Sequence, residues 1–161
     1  MEGESVENVP ETLKKRSASR LMAVQAMHQA MQLDLLPEQL GRDFHDEPLV
    51  SENKKRGIEG DPAFFERLLH PFRTTSLRHF DGVIDASLTY PWQPDRLEPL
   101  LLAILRIAAA ELVCVKEAKT HFVISAYVML AHSFFGGSEP GFVRAVLGKL
   151  ASQQKEEEGR P

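Results

Sequence analysis

Lys14, Lys15, Arg16 and Arg20 crowd one end of a helical pattern, with Ser17 and Ser19 between them. Cations at this density suit an anionic polymer. Lysines act as point charges on phosphates, arginines add planar forks, and serine hydroxyls add short hydrogen bonds. Placing cations at a helix N-terminus opposes the backbone dipole, at about 0.3–1 kcal/mol each. That cost points to a use other than helix stability, although a solvated helix face would contain the same residue types. A second basic run, Lys54-Lys55-Arg56, falls in a polar stretch with Gly57 and Gly60, where a solvated loop explains it.

The other reactive side chains form no catalytic set. None of the six histidines sits in the helical i, i+4 arrangement with a glutamate that binds zinc. His45-Asp46-Glu47 is adjacent rather than convergent and reads as solvated loop. No nucleophile elbow, phosphate-binding glycine loop or dinucleotide fingerprint occurs. The single cysteine, Cys114, excludes an intrachain disulfide and a multi-thiolate metal site. It suits a cytoplasmic protein and reads as a small buried apolar residue. No cofactor, metal site or enzymatic activity is expected. The net charge of −4 excludes general nucleic-acid binding by the whole surface, so any such role needs a local patch.

These residues must be positioned by helices. Leu21, Val24, Met27 and Met31 predict a helix from about Glu11 to Gln32. Residues 37–47 fit a short helix, and a flexible loop is expected over about 48–61. Asp61 and Pro62 open a further helix as cap and first residue. Pro71 should kink or split it. The pattern resumes at Leu77 and stops at Pro91, and Trp92 is expected to pack at the turn that follows. From Pro94 to Val115 apolar side chains cover every side of a helix, broken after its first residues by Arg96, Glu98, Arg106 and Glu111. Such a segment is a central core helix or a membrane span, and the charges leave it short of the roughly 18–20 apolar residues a span needs. Pro94 and Asp95 suit its start, while Pro99 fits only if the start lies nearer Arg96. Arg106 needs a partner, and one on another helix is expected. A helix follows over the segment around Phe122 to Phe134. Ser138 and Pro140 open the last helix, whose polar tail should fray from about residue 154. The first ten residues, acidic and without an apolar core, read as disordered and carry no secretory signal. The fold class is all-α, a compact helical bundle in one domain over about 11–153.

Four segments, KKRSASRLMAVQAM, DPAFFERLL, RLEPLLLAILRIAAAEL and YVMLAHSFFGGSEPGFVRAVL, together resemble the NusB family of transcription antitermination factors, over about residues 14–151. The resemblance implies two small helical subdomains. It implies a non-enzymatic factor that pairs with the ribosomal protein NusE, binds boxA RNA and serves the RNA polymerase antitermination complex. It maps the family's RNA-contacting arginine cluster onto Arg16 and Arg20, with Lys14 and Lys15 beside them. Paired replacement of Arg16 and Arg20 by alanine is accordingly expected to weaken RNA binding without unfolding the protein. The resemblance also implies RNA contacts at His28, which stands where the family has tyrosine, at Thr120 and His121, and at Ser138. The NusE-facing surface is expected to include Leu97, Leu100 and Leu101. Ser125-Ala126 replace the family's Asn-Glu, which would remove the usual partner of Arg106, and Arg144-Ala145 replace its Asn-Gly. The alternative is a diverged interaction module that keeps the fold and has lost specific RNA binding. Monomer and homodimer both remain open.

Overall fold

The computed structural model describes residues 10–42, 54–57, 59–89 and 91–159. In chain order these form α1 (Glu11–Leu33), a 3-10 turn (Pro37–Gln39), α2 (Pro62–Leu69), α3 (Pro71–Thr74), α4 (Leu77–Asp85) and a second 3-10 turn (Pro94–Arg96). Then come α5 (Pro99–Ala110), a π turn (Glu111–Val115), α6 (Thr120–Phe134) and α7 (Glu139–Glu158). The described residues are all-α, and none of their helices is long and apolar enough to cross a membrane. His45-Asp46-Glu47, residues 43–47 of the expected short helix, and residues 48–53 and 58 of the expected loop lie outside the described residues. Lys54 and Lys55 form part of an exposed helical turn.

α5 is the central helix. Ala103, Ile104, Leu105, Ile107, Ala108, Ala109 and Ala110 are fully closed to solvent. α1, α2, α4, α6 and α7 all pack against it. The alanines let neighbouring backbones approach, and the branched side chains fill the space between them. The helix starts later than the apolar run. Pro94–Arg96 is a separate 3-10 turn, Leu97 is extended, and Glu98 caps the helix by accepting from the Leu101 N–H at 3.0 Å. Pro99 is thus the first helical residue, where its missing N–H costs nothing. A start at Pro94 or Arg96 would have driven the Pro99 ring against the preceding turn.

Pro71 splits its helix as expected: α2 ends at Leu69 and α3 begins at Pro71, with His70 as the joint. Asp61 caps α2, accepting from the N–H groups of Ala63 and Phe64 at 3.0 and 3.2 Å. Ser138 holds the N-cap position of α7 without a side-chain capping bond. Trp92 is half exposed and meets Phe142 of α7, with ring centroids 5.9 Å apart. α7 stays helical to Glu158, which pairs with Lys116. Cys114 is exposed on the π turn, contrary to its expected burial. The widened turn rotates it off the buried face that α5 maintains up to Ala110.

Replacing Asp61 by alanine should lower stability by roughly 1 kcal/mol. A urea titration should show a lower midpoint at an unchanged slope.

Candidate nucleic-acid interface

Two hydrogen bonds fix the basic end of α1 against α2. The Ser19 hydroxyl accepts from the Asp61 N–H at 2.7 Å and donates to the Asp61 carbonyl at 3.1 Å. Gly60 makes this approach possible, since a Cβ there would lie 2.9 Å from the Ser19 Oγ and 3.1 Å from the Met22 sulfur. The clamp sets Phe64, near the start of α2, beneath the α1 arginines. Its ring face receives the guanidinium groups of Arg16, Arg20 and Arg67, at 4.5, 5.3 and 5.6 Å from the centroid. Cations gather there because the ring face is electron-rich.

The arginines divide into an inner and an outer set. Arg20 turns inward and is 7% exposed. Its Nε and one terminal nitrogen each donate to Glu111 at 2.8 Å, and the Tyr127 hydroxyl donates to the same carboxylate at 2.7 Å. Glu111 and Tyr127 are themselves buried. Burial opposes the Arg20 charge, but the hydrogen bonds and charge of Glu111, with Tyr127, outweigh it and hold its pKa above the ordinary value. The Tyr127 hydroxyl is pushed well up, first by burial and then by the Glu111 charge. This corrects the expectation for Arg20: its guanidinium is committed to an internal network and is not presented on the accessible face.

Arg16 and Arg67 form the outer set, and both bind Glu117 in the turn before α6. Arg16 donates at 2.9 Å, while Arg67 makes a fork at 2.6 and 3.0 Å. The hydrogen bond from Arg67 leads the effects that hold the Glu117 carboxyl below its ordinary pKa. The lowered pKa means that this pairing stabilises the fold above the ordinary carboxylate range and is lost as acid protonates Glu117. Lys14 is exposed and Lys15 half exposed on the preceding turn.

Thr120 and His121 are exposed at the start of α6, close in the chain to Glu117, and the His121 ring lies 4.4 Å from Phe122. They follow Glu117, the partner of Arg16, by three and four residues. Ser138 does not share that end of α6: the helix runs about 21 Å from Thr120 to Phe134, and Ser138 follows its far end. His28 is half buried, about 18 Å along α1 from Arg16. Leu97 and Leu101 are each 7% exposed and belong to the core, so neither offers an open partner surface, and Leu100 is half buried. Arg106 binds Asp81 of α4 through two 2.8 Å bonds, so its partner is on another helix but not on α6. The substitutions at Ser125 and Ala126 therefore leave Arg106 paired. Among the described residues no group of acids, histidines and cysteines could hold a metal ion.

Sequence reasoning missed Arg67 and Glu117. Arg67 reads as an ordinary polar position of an amphipathic helix, and Glu117 as part of a turn. One weak signal exists for Arg67, which follows Phe64 by three residues and so shares its side of α2.

In fold, this is an all-helical bundle shared with solved NusB structures. The chain aligns with T. maritima NusB at a TM-score of 0.63 and 22% identity, covering 88% of this chain and 96% of that one. It aligns with a chain from a crystal structure of the antitermination factors NusB and NusE in complex with dsRNA at 0.68 and 19%, covering 86% and 97%. The NusB family model matches residues 17–152. The transcription antitermination protein NusB of Brucella ovis is 33% identical over 151 residues, or 93% of this chain and 88% of the relative, and that of Brucella anthropi is 33% identical with 93% and 89% covered. The chain belongs to the NusB family.

Arg20→Ala would leave Glu111 buried without its cation and should cost about 3–5 kcal/mol. Arg16→Ala, at the solvent edge, should cost under about 1 kcal/mol. Denaturant unfolding of the two variants should separate the inner from the outer arginine.

Proposed function

We propose that this chain is a non-enzymatic, cytoplasmic transcription antitermination factor that pairs with the ribosomal protein NusE and binds boxA RNA through the basic end of α1. The observation that carries this is the outward set of Lys14, Lys15 and Arg16, backed by a buried Arg20 that holds their helix in place. Its membership of a family whose relatives are antitermination proteins supports the same reading, as does its likeness to a chain from a NusB–NusE–dsRNA structure.

In this mechanism Lys14 and Lys15 neutralise successive phosphates, and Arg16 offers a planar fork to another. Phosphate contacts set register, while unstacked bases supply sequence recognition. His121 and the 62%-exposed Phe122, at the start of α6, offer aromatic faces to those bases. Thr120 offers a hydroxyl there, and His28 and Ser138 would meet RNA that extends further over the bundle. Few cations are clustered, so binding by this chain alone should be modest and salt-sensitive, with NusE adding surface and specificity. Incorporation into the RNA polymerase antitermination complex would follow from the NusE–RNA assembly.

The test is fluorescence anisotropy with boxA RNA and a scrambled control, with and without NusE, at several salt concentrations. Joint replacement of Lys14, Lys15 and Arg16 by alanine should weaken binding and flatten the log–log salt slope by about 1.4, near 0.7 for each of the two lysines, since Arg16 is neutralised by Glu117 in the parent. The melting temperature should stay close to that of the parent. Unchanged affinity at low salt would refute the assignment. NusE binding without RNA discrimination would favour the diverged interaction module.

A further inference from the structure

The Arg16–Glu117–Arg67 cluster has the form of an anion site that is already occupied by an internal anion. Two guanidinium groups from different helices converge on one carboxylate, with distances of 2.6–3.0 Å. Both lean on the Phe64 ring, which limits their freedom and aims them toward the same point. A phosphodiester presents two charged oxygens and fits an arginine pair as a carboxylate does. The Glu117 side chain is 29% exposed and that of Arg67 is 43% exposed, so the site opens to solvent, unlike the sealed Arg20–Glu111 pair at 8% and 0%. Beside it lies a cavity of about 370 Å³, with Arg67 and Glu117 in its wall together with Glu66, His70, Thr74 and Cys114. There is room next to the arginines for the sugar or base of a bound nucleotide.

From this geometry we infer that Arg67 is a second phosphate-binding arginine of the RNA site, and that Glu117 holds the phosphate position until RNA displaces it. The inference rests on the RNA-binding function proposed above. It adds to that face a residue from α2 and a carboxylate that competes with the ligand. Exchange preserves the bonds to both arginines while the Glu117 carboxylate returns to water. Lys119 follows Glu117 by two residues, so the released carboxylate stays beside a cation, while Lys116 is already paired with Glu158. The internal carboxylate penalises weak anions, because only a polyanion held by Lys14 and Lys15 at the same time makes displacement favourable. Glu117 thereby acts against nonspecific single-phosphate binding.

The experiment compares parent, Arg67→Ala and Glu117→Gln in anisotropy titrations with boxA RNA over a range of salt, with a thermal melt of each protein. Arg67→Ala should weaken binding roughly tenfold at low salt, the scale of one charge-assisted hydrogen bond. It should leave the salt slope close to that of the parent, because in the parent each phosphate taken up by Arg67 frees the Glu117 carboxylate and the net charge neutralised is small. Glu117→Gln should bind several-fold more tightly and steepen the slope by up to about 0.7, because the phosphate that the arginine neutralises then gives up its condensed cation with no carboxylate set free in exchange. Arg67→Lys should recover part of the lost affinity. If Glu117→Gln melts lower and binds RNA no more tightly than the parent, the carboxylate is only a tie between helices and the inference is overturned. Parent-like RNA binding by Arg67→Ala overturns it as well while leaving the proposed function standing. Absence of RNA binding by the parent itself would overturn both.

Discussion

An arginine, a glutamate and a tyrosine hydroxyl share the interior where α1, the turn after α5, and α6 meet. Removing two such charges from water costs several kcal/mol each, and the cost is recovered only when the geometry is good and the other lone pairs are satisfied. Here both Glu111 oxygens accept from Arg20, and one accepts from Tyr127 as well. An apolar replacement of the same volume could be equally stable, so the network is better understood as a fixing device. It permits one rotation of α1 about its axis and one height along α5. Any slip would strand a buried charge. The position of everything one turn earlier on α1 follows from that constraint.

Arg16 is the residue one turn earlier. With Arg20 pinned and Ser19 tied to the start of α2, Arg16 lies over the Phe64 ring face and reaches Glu117 at the surface. The same ring receives Arg67 from α2. A single aromatic face thus organises three guanidinium groups, one committed to the interior and two directed outward. The buried pair is rigid and leaves nothing for a ligand, while the exposed pair is held by a carboxylate that water can readily solvate. Stability and the proposed ligand exchange thereby fall to different arginines, the first to Arg20 and the second to Arg16 with Arg67.

Much of this arrangement is legible in the sequence. The bounds of α1, the Asp61 cap, the break at Pro71 and the central role of α5 follow from apolar spacing and from the missing N–H of proline. The start of α5 does not, because the apolar run extends back to Leu97, whereas the helix waits for Pro99 to stand first. Arg16 and Arg20 cannot be told apart by spacing, since one turn puts both on the same side of a helix. Only their partners, Glu117 and Glu111, distinguish them, and these lie about ninety to a hundred residues away. A separation of 50 residues likewise hides Arg67 and Glu117 as members of one site. Leu97 and Leu101 are apolar enough for either a partner surface or a core. The resemblance favours the surface, but their side chains complete the core of the bundle.

An overall charge of −4 and the proposed phosphate-binding face are compatible because charge acts locally. At physiological ionic strength interactions between exposed charges fade over about 8 Å, so a ligand at the end of α1 responds to the side chains around it and not to the acidic total. Of the nearby acids, Glu111 is sealed inside by Arg20 and Glu117 is held by two arginines, so neither stands as an unpaired negative charge against a phosphate. The patch remains small, however. A few cations on one helix end and one more on α2 can orient an RNA strand without holding it tightly, and each further phosphate held by a partner surface multiplies the affinity. A face of this size is suited to a subunit that recognises RNA as part of an assembly, since the modest grip of one chain leaves the assembly free to decide which strand is kept.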